Sequence, residues 1–230
     1  MTQLAAAEGR TILHKNHTEG GWTWKSHARS EVTMELIKSR VWDVVVLQEQ
    51  SVRPALPAAE VCELSLPHLA TLVSAIRESS PGATLQFYLT WGRPFGSASD
   101  CPAYPALCDF SSMQAALTAS YRAFACQNAP ARVAAVGEGF GLFKDSEMFL
   151  SLYKDRGEDH HPSLSGSYLA ALSHYSSMYN RSALGSSFTA GLGEDTAGLL
   201  QEAAWAVWEG GQWDFPVGTD CTDCLCDCHL

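Results

Sequence analysis

Asp43-Val44-Val45-Val46-Leu47-Gln48 sets an uninterrupted apolar run, mostly β-branched, between polar neighbours. Branched side chains suit the pleated backbone, and a short apolar run without alternation is expected of a strand buried on both faces, as in parallel sheets. Working outward, Thr84 to Thr90 carries Leu85, Phe87 and Leu89 at alternate positions, and Arg132 to Val136 reads as a further strand. Thr11-Ile12-Leu13-His14 reads as a short strand ahead of them.

Between these runs the apolar spacing turns helical. Ser30 to Ser39 offers Val32, Met34, Leu36 and Ile37, and Pro57 to Ser79 carries Val61, Leu64, Leu69, Leu72, Val73 and Ile76 before Ser80-Pro81-Gly82 stops it. Ser111 to Cys126, Glu147 to Tyr153 beyond a loop at Gly137, Ser165 to Asn180 and Glu194 to Trp208 complete the helices. Strands alternating with helices predict a three-layer α/β/α sandwich around a mostly parallel sheet. Ligands bind at the carboxyl ends of such strands, which puts Gln48, Trp91 and the residues after Val136 on one rim.

With 230 residues, 46% hydrophobic and 17% charged, the chain suits one well-filled core. Residues 1–212 read as one domain and 213–230 as a Cys-rich tail. A net charge of −10 without a basic cluster disfavours nucleic acid as a partner. No run approaches the roughly 18 apolar residues that span a bilayer, so no membrane partner is expected either. Eight cysteines point weakly to an oxidising, secretory compartment. Asn16-His17-Thr18 and Asn180-Arg181-Ser182 fit the N-glycosylation acceptor pattern and lean the same way. Cys101 and Cys108 bracket a loop with two prolines that a disulfide would staple, the alternative being two unpaired thiols.

The chemistry concentrates in Gly157-Glu158-Asp159-His160-His161-Pro162-Ser163, which runs into Leu164-Ser165-Gly166-Ser167-Tyr168-Leu169-Ala170-Ala171-Leu172. An acid three residues before a histidine, then Pro-Ser and a helix, is how one group of serine esterases presents its general base. Together with Trp42 to Ser51 and Thr90-Trp91-Gly92-Arg93-Pro94, the stretch resembles the SGNH (GDSL-like) hydrolase superfamily, from Gln3 to Trp208. The resemblance implies a flavodoxin-like fold and hydrolysis of a carboxylic ester through an acyl-serine, without cofactor or metal. The substrate it implies is a small-molecule or carbohydrate ester, such as an O-acetyl group on a sugar.

One part of the family pattern is missing. No Gly-Asp-Ser or Gly-Asn-Ser occurs anywhere, and Met1 to Gly9 looks like the helix that follows that serine, so the first strand and its nucleophile are expected to be absent. The chain as it stands is then an inactive or truncated esterase. The alternative is a remnant that keeps the pocket as a glycan-binding module.

His161 is the expected base, since imidazole titrates near neutral pH and can take and return a proton. Pro162 is expected to open the following helix. Glu158, at the family spacing, is preferred over Asp159 as the acid that orients His161. Gly21 and Gln48 are the expected oxyanion donors by resemblance, with Gln50 as fallback; Gln48 can equally be a structural hydrogen bonder. Trp91 and Arg93 are expected to wall the substrate pocket, or else to cap the sheet and sit exposed. Ser51 could replace the lost nucleophile, yet nothing around it resembles a nucleophile turn.

Two metal readings compete with these. Glu158, Asp159, His160 and His161 offer zinc ligands, but adjacent histidines rarely reach one ion together. Cys221-Thr222-Asp223-Cys224-Leu225-Cys226-Asp227-Cys228-His229 has spacing that suits a soft metal, and tail disulfides account for it as well. No metal is expected.

Overall fold

A computed structural model describes residues 1–221, so the tail cysteines Cys224, Cys226 and Cys228, with His229, lie outside the described residues. The strands β1 (Val44–Leu47), β2 (Thr84–Leu89), β3 (Ala131–Ala135) and β4 (Asp214–Phe215) form one sheet in that order. The first three run parallel, with Val46 beside Gln86 and Phe87 beside Val133; β4 pairs antiparallel with β3 through Ala131 and Phe215. Helices cover both faces. The α/β class with a mixed, largely parallel sheet is as the sequence predicts.

On one face lie α2 (Trp24–Ala28), α3 (Glu31–Lys38), α4 (Ala58–Leu64), α5 (Leu66–Ser79) and α6 (Phe110–Gln127). Trp24, Leu69, Leu72, Ile76, Leu117 and Phe124 pack there against Leu85, Phe87 and Val133. On the other face lie α1 (Thr2–Ala7), α7 (Val136–Gly141), α8 (Leu164–Tyr179) and α9 (Glu194–Gly210), with Leu4, Phe140, Leu169, Leu172 and Leu200 in a second core. Fully burying one such side chain stabilises by roughly 1.5–3 kcal/mol, so the two cores hold the sheet between them.

Several elements depart from the sequence reading, each for a local reason. The helix expected over 57–79 breaks at Ser65 and bends by 47°. Pro67, in the first turn of α5, has no amide to donate and so cannot continue α4. The helix expected near Tyr153 is a pair of 3₁₀ turns, Phe149–Leu152 and Lys154–Gly157. Instead α7 follows β3 directly, which the glycines at 137, 139 and 141 obscured. A side chain at Gly137 would run into the Thr90 carbonyl and Gln114, so close packing of α7 on the end of β2 requires that glycine. The segment expected as tail from residue 213 begins within the sheet, because Trp213 and Phe215 are buried in the core.

The disulfide Cys101–Cys108 staples its loop, and Cys126–Cys221 fastens the residues after β4 to the end of α6. Two acceptor asparagines are exposed; Asn180 ends α8 in the left-handed region and accepts from Trp208 Nε1 at 2.8 Å. Among the described residues no single helix is long and apolar enough to cross a membrane.

The Asp43-to-Gln48 run is a strand but is not buried on both faces. Among the described residues β1 is the sheet's edge with its outer side unpaired, and Val46 is 45% exposed. Thr11 to His14 forms no strand, and Leu13 is 61% exposed. A strand needs a neighbour for its amides and carbonyls, and none lies beside this segment among the described residues.

Candidate active site

The loop that carries His161 is an excursion between two anchored ends. Tyr153 and Pro162 form an antiparallel bridge, Lys154 N donates to the His161 carbonyl at 2.9 Å, and Ser163 N donates to Leu152 O at 2.9 Å. Ser163 caps α8: its hydroxyl accepts from Gly166 N at 3.3 Å and donates to Ser151 O at 2.6 Å. Pro162 therefore sits just ahead of the cap and not in the first helical turn, correcting the expectation that it opens the helix. Gly157 holds φ +99° beneath Pro94 and Phe95, each 3.0 Å from where a Cβ would stand. Only glycine combines that backbone with that clearance.

Within the loop Asp159 folds back on His161. Its Oδ1 accepts from His161 N at 2.9 Å and lies 2.5 Å from His161 Nδ1. An aspartate reaching the amide two residues on is a familiar turn, and glutamate with its extra methylene makes it poorly. The two hydrogen bonds from His161, backbone first, hold the Asp159 carboxyl below its usual range. Glu158 is exposed, and its backbone amide donates to Asp155 O at 3.3 Å. Of the two acids it is Asp159, and not the preferred Glu158, that meets the His161 ring. With Nδ1 held by Asp159 and the His161 side chain 63% exposed, Nε2 is the ring nitrogen without a hydrogen-bond partner among the described residues.

Trp91 and Arg93 meet the same loop from the end of β2. Trp91 stacks on Phe140 at 4.7 Å with 8° between the planes, and its Nε1 donates to the His160 carbonyl at 3.0 Å. Arg93 donates through Nη1 to Ser97 Oγ at 2.8 Å, and Ser97 passes a 2.5 Å hydrogen bond to Asp100. The His160 ring stacks on that of His161 at 4.6 Å. Burial, then the Arg93 charge, lowers the His160 pKa. Tyr153 OH donates to Gly92 O at 2.8 Å, and Gly92 N donates to Gln114 Oε1 at 2.9 Å, so the Trp91–Arg93 turn and the His161 loop are one braced unit.

The expected oxyanion donors lie elsewhere on the rim. Gln48 is exposed, one residue beyond the Leu47–Phe87 pair, on the face of the sheet shared by Gln86 and Tyr88. Gly21 occupies an exposed turn at φ +74°, next to Trp22, which packs edge-on against His17 and His27. Among the described residues no hydrogen bond or ring contact joins Gly21 or Gln48 to the His161 loop. Gln50 turns inward on its own loop, Oε1 accepting from Val52 N at 3.1 Å, and Ser51 makes no hydrogen bond to His161.

The residue that the sequence reading passed over is Glu49, fully buried between those glutamines. Its Oε1 accepts from Trp24 N at 3.0 Å and from Gln50 N at 2.8 Å, while Tyr121 OH accepts from Glu49 N at 3.1 Å. Burial raises its pKa against those hydrogen bonds. The signal was present: Val45, Leu47 and Glu49 alternate onto the core face, so period-two reading carried one step past the strand puts an acid inside.

No known protein-family model and no curated protein matches the chain. Among solved structures it is similar to a DUF4886 family protein from Bacteroides uniformis, known from a crystal structure at 1.50 Å resolution. The TM-score is 0.75 at 18% identity, over 89% of this chain and 86% of that one. That likeness concerns the fold.

Proposed function

We propose that this chain is the base-bearing part of an SGNH-type hydrolase of carboxylic esters, with His161 as general base and Asp159 as the residue that orients it. The Asp159–His161 pair at 2.5 Å carries the reading. An acid fixed to Nδ1 selects the tautomer with a free Nε2, which is what a base serving a hydroxyl nucleophile requires. The pair stands at the carboxyl ends of parallel strands, where open sheets bind ligands. The fold would be the flavodoxin-like one of that superfamily with its first strand lacking. The open outer edge of β1 and the unpaired, exposed Thr11–His14 segment support that, since both would flank such a strand.

In this reading the serine reaches the site on a strand laid along β1, and its alkoxide attacks the ester carbonyl as His161 takes the proton. Gln48 and Gly21 would then donate to the oxyanion, and Trp91 would line the acyl or sugar pocket while fixing the His160 backbone. The disulfides Cys101–Cys108 and Cys126–Cys221 fit a secretory setting, and an acylated carbohydrate is the proposed substrate class. No cofactor is called for.

A second reading, a glycan-binding remnant, has one observation in its favour: no serine hydroxyl meets His161 among the described residues. The two are separated by assaying the native gene product and the 230-residue chain on 4-nitrophenyl acetate and acetylated sugars. The esterase reading expects turnover by the native product that His161→Ala lowers by about 10³-fold or more, as loss of a triad member does. Saturable sugar binding without turnover, unchanged in His161→Ala, would decide for the remnant.

A further inference from the structure

We infer that Asp159, His160 and His161 form a binding site for a divalent transition-metal ion, zinc being the best fit. One donor atom from each of the three lies within 4.8 Å of the others. The objection from sequence was that neighbouring histidines project apart. Here the chain turns so that the two rings stack, 4.6 Å between centroids and 25° between planes. Two imidazoles and a carboxylate are the donor set of many three-ligand zinc sites, which leave the fourth position to water or a ligand.

The donors need little rearrangement. Tetrahedral zinc with bonds of roughly 2.0–2.3 Å sets its ligand atoms about 3.3–3.7 Å apart. The Asp159–His161 pair at 2.5 Å must open by about an ångström and His160 must close by a similar amount. The exposed His161 side chain is free to turn, while the loop beneath is fixed by the Trp91 bond to the His160 carbonyl and by the Tyr153–Pro162 bridge. Arg93 works against a cation here, but its guanidinium is engaged with Ser97 and through it Asp100. The chain's net charge of −10 favours cation capture overall. An ion on His161 Nδ1 would displace the Asp159 hydrogen bond and leave the ring proton on Nε2, and so would switch the pair off as a base. The site itself does not depend on the esterase reading.

The test is calorimetric titration of zinc chloride into the whole, disulfide-bonded chain at neutral pH, with cobalt(II) absorption as a second readout. Saturable one-to-one binding is expected, weakened at least about tenfold in His160→Ala and in Asp159→Asn, the scale of losing a ligand or its support. Cobalt is expected to give ligand-field bands without thiolate charge transfer, which separates this site from the cysteines of the tail. No saturable binding, or binding unchanged in both variants, overturns the proposal; so does a thiolate band that accounts for all the bound metal. Asp159→Asn keeps the size and the turn of the native residue, so it decides the matter if His160→Ala melts early.

Discussion

Replacing Glu49 tests whether a buried carboxylate sets the loop at the end of β1. Glu49→Ala strips the acceptor from Trp24 N and Gln50 N, leaving two amides beneath the surface without partners. Each costs about 1–3 kcal/mol, so the loss is about 2–6 kcal/mol out of a domain stability of about 5–15 kcal/mol. At about 2–4 °C per kcal/mol for a chain of this size, the melting temperature should fall by roughly 4–24 °C. Glu49→Gln keeps an oxygen for both amides and removes the charge that burial penalises. Its effect should depend on pH. A carboxyl whose pKa is raised on folding binds its proton more tightly in the native state. The stability this gives is complete below the unfolded value of about 4.3 and is lost as pH rises through the folded value. Wild type should therefore lose stability on the alkaline side of that window, and Glu49→Gln should not. Thermal melts by circular dichroism from about pH 5 to about pH 8 measure both effects. The reasoning fails if Glu49→Ala melts within about a degree of wild type, or if Glu49→Gln is as unstable as Glu49→Ala at the alkaline end.

Two further outcomes follow from the packing around the base. Gly166→Ala puts a methyl group into the Leu152 carbonyl, 2.9 Å from Phe140 and 3.1 Å from Pro162; overpacking of this kind costs about 1–3 kcal/mol. Loss of the Asp159–His161 coupling, read from the His161 ring resonances by NMR, should accompany the lower melt, and unshifted resonances would show that the loop is not held from α8. His174, which meets Gln86 Nε2 through Nδ1 at 3.0 Å, has its pKa pushed down to about 4 by burial. Its neutral form is favoured in the fold, so stability present above about 6.5 is lost as pH falls through about 4; denaturant melts of His174→Gln should show a flatter acid limb than wild type.

The sheet was legible because parallel strands and their covering helices write periodic patterns into the chain. Thr84 to Leu89 and Ala131 to Ala135 are strands, as their apolar runs predict, and they pair in parallel. What misled was context. Asp43 to Gln48 reads as a central strand because its residues suit one, and only the sheet order places it at an edge. Thr11 to His14 has strand composition and no neighbouring strand among the described residues. The Asp159–His161 pair was half legible: histidine, proline and the helix cap stand in the sequence, but whether the acid sits two or three residues back depends on a turn set by Gly157 and two residues at positive φ, Asp155 and Arg156. Periodicity has nothing to say about such turns. Glu49 was missed for the opposite reason, since it continues the strand's alternation past the point where the apolar residues end.

The site divides along the sheet, and the division explains how a base can stay ordered beside an open strand edge. His161, Asp159, Trp91 and Arg93 are braced by β2, α6, α7 and α8 through Gly92, Gln114, Phe140 and Tyr153, all in well-buried surroundings away from β1. Gln48 and Gly21 lie on the side where β1 has no outer neighbour. A strand laid against that edge would gain the unpaired amides and carbonyls of Val44 to Leu47 and cover Val46, without disturbing the base loop. In the proposed reading the half that would hold the proton acceptor is preorganised on its own, and the half that would bind the developing negative charge is the one whose geometry an added strand would set. Preorganised donors are what an oxyanion requires. Catalysis in the proposed reading therefore needs both His161, already in place, and a strand paired with β1 to set the donors.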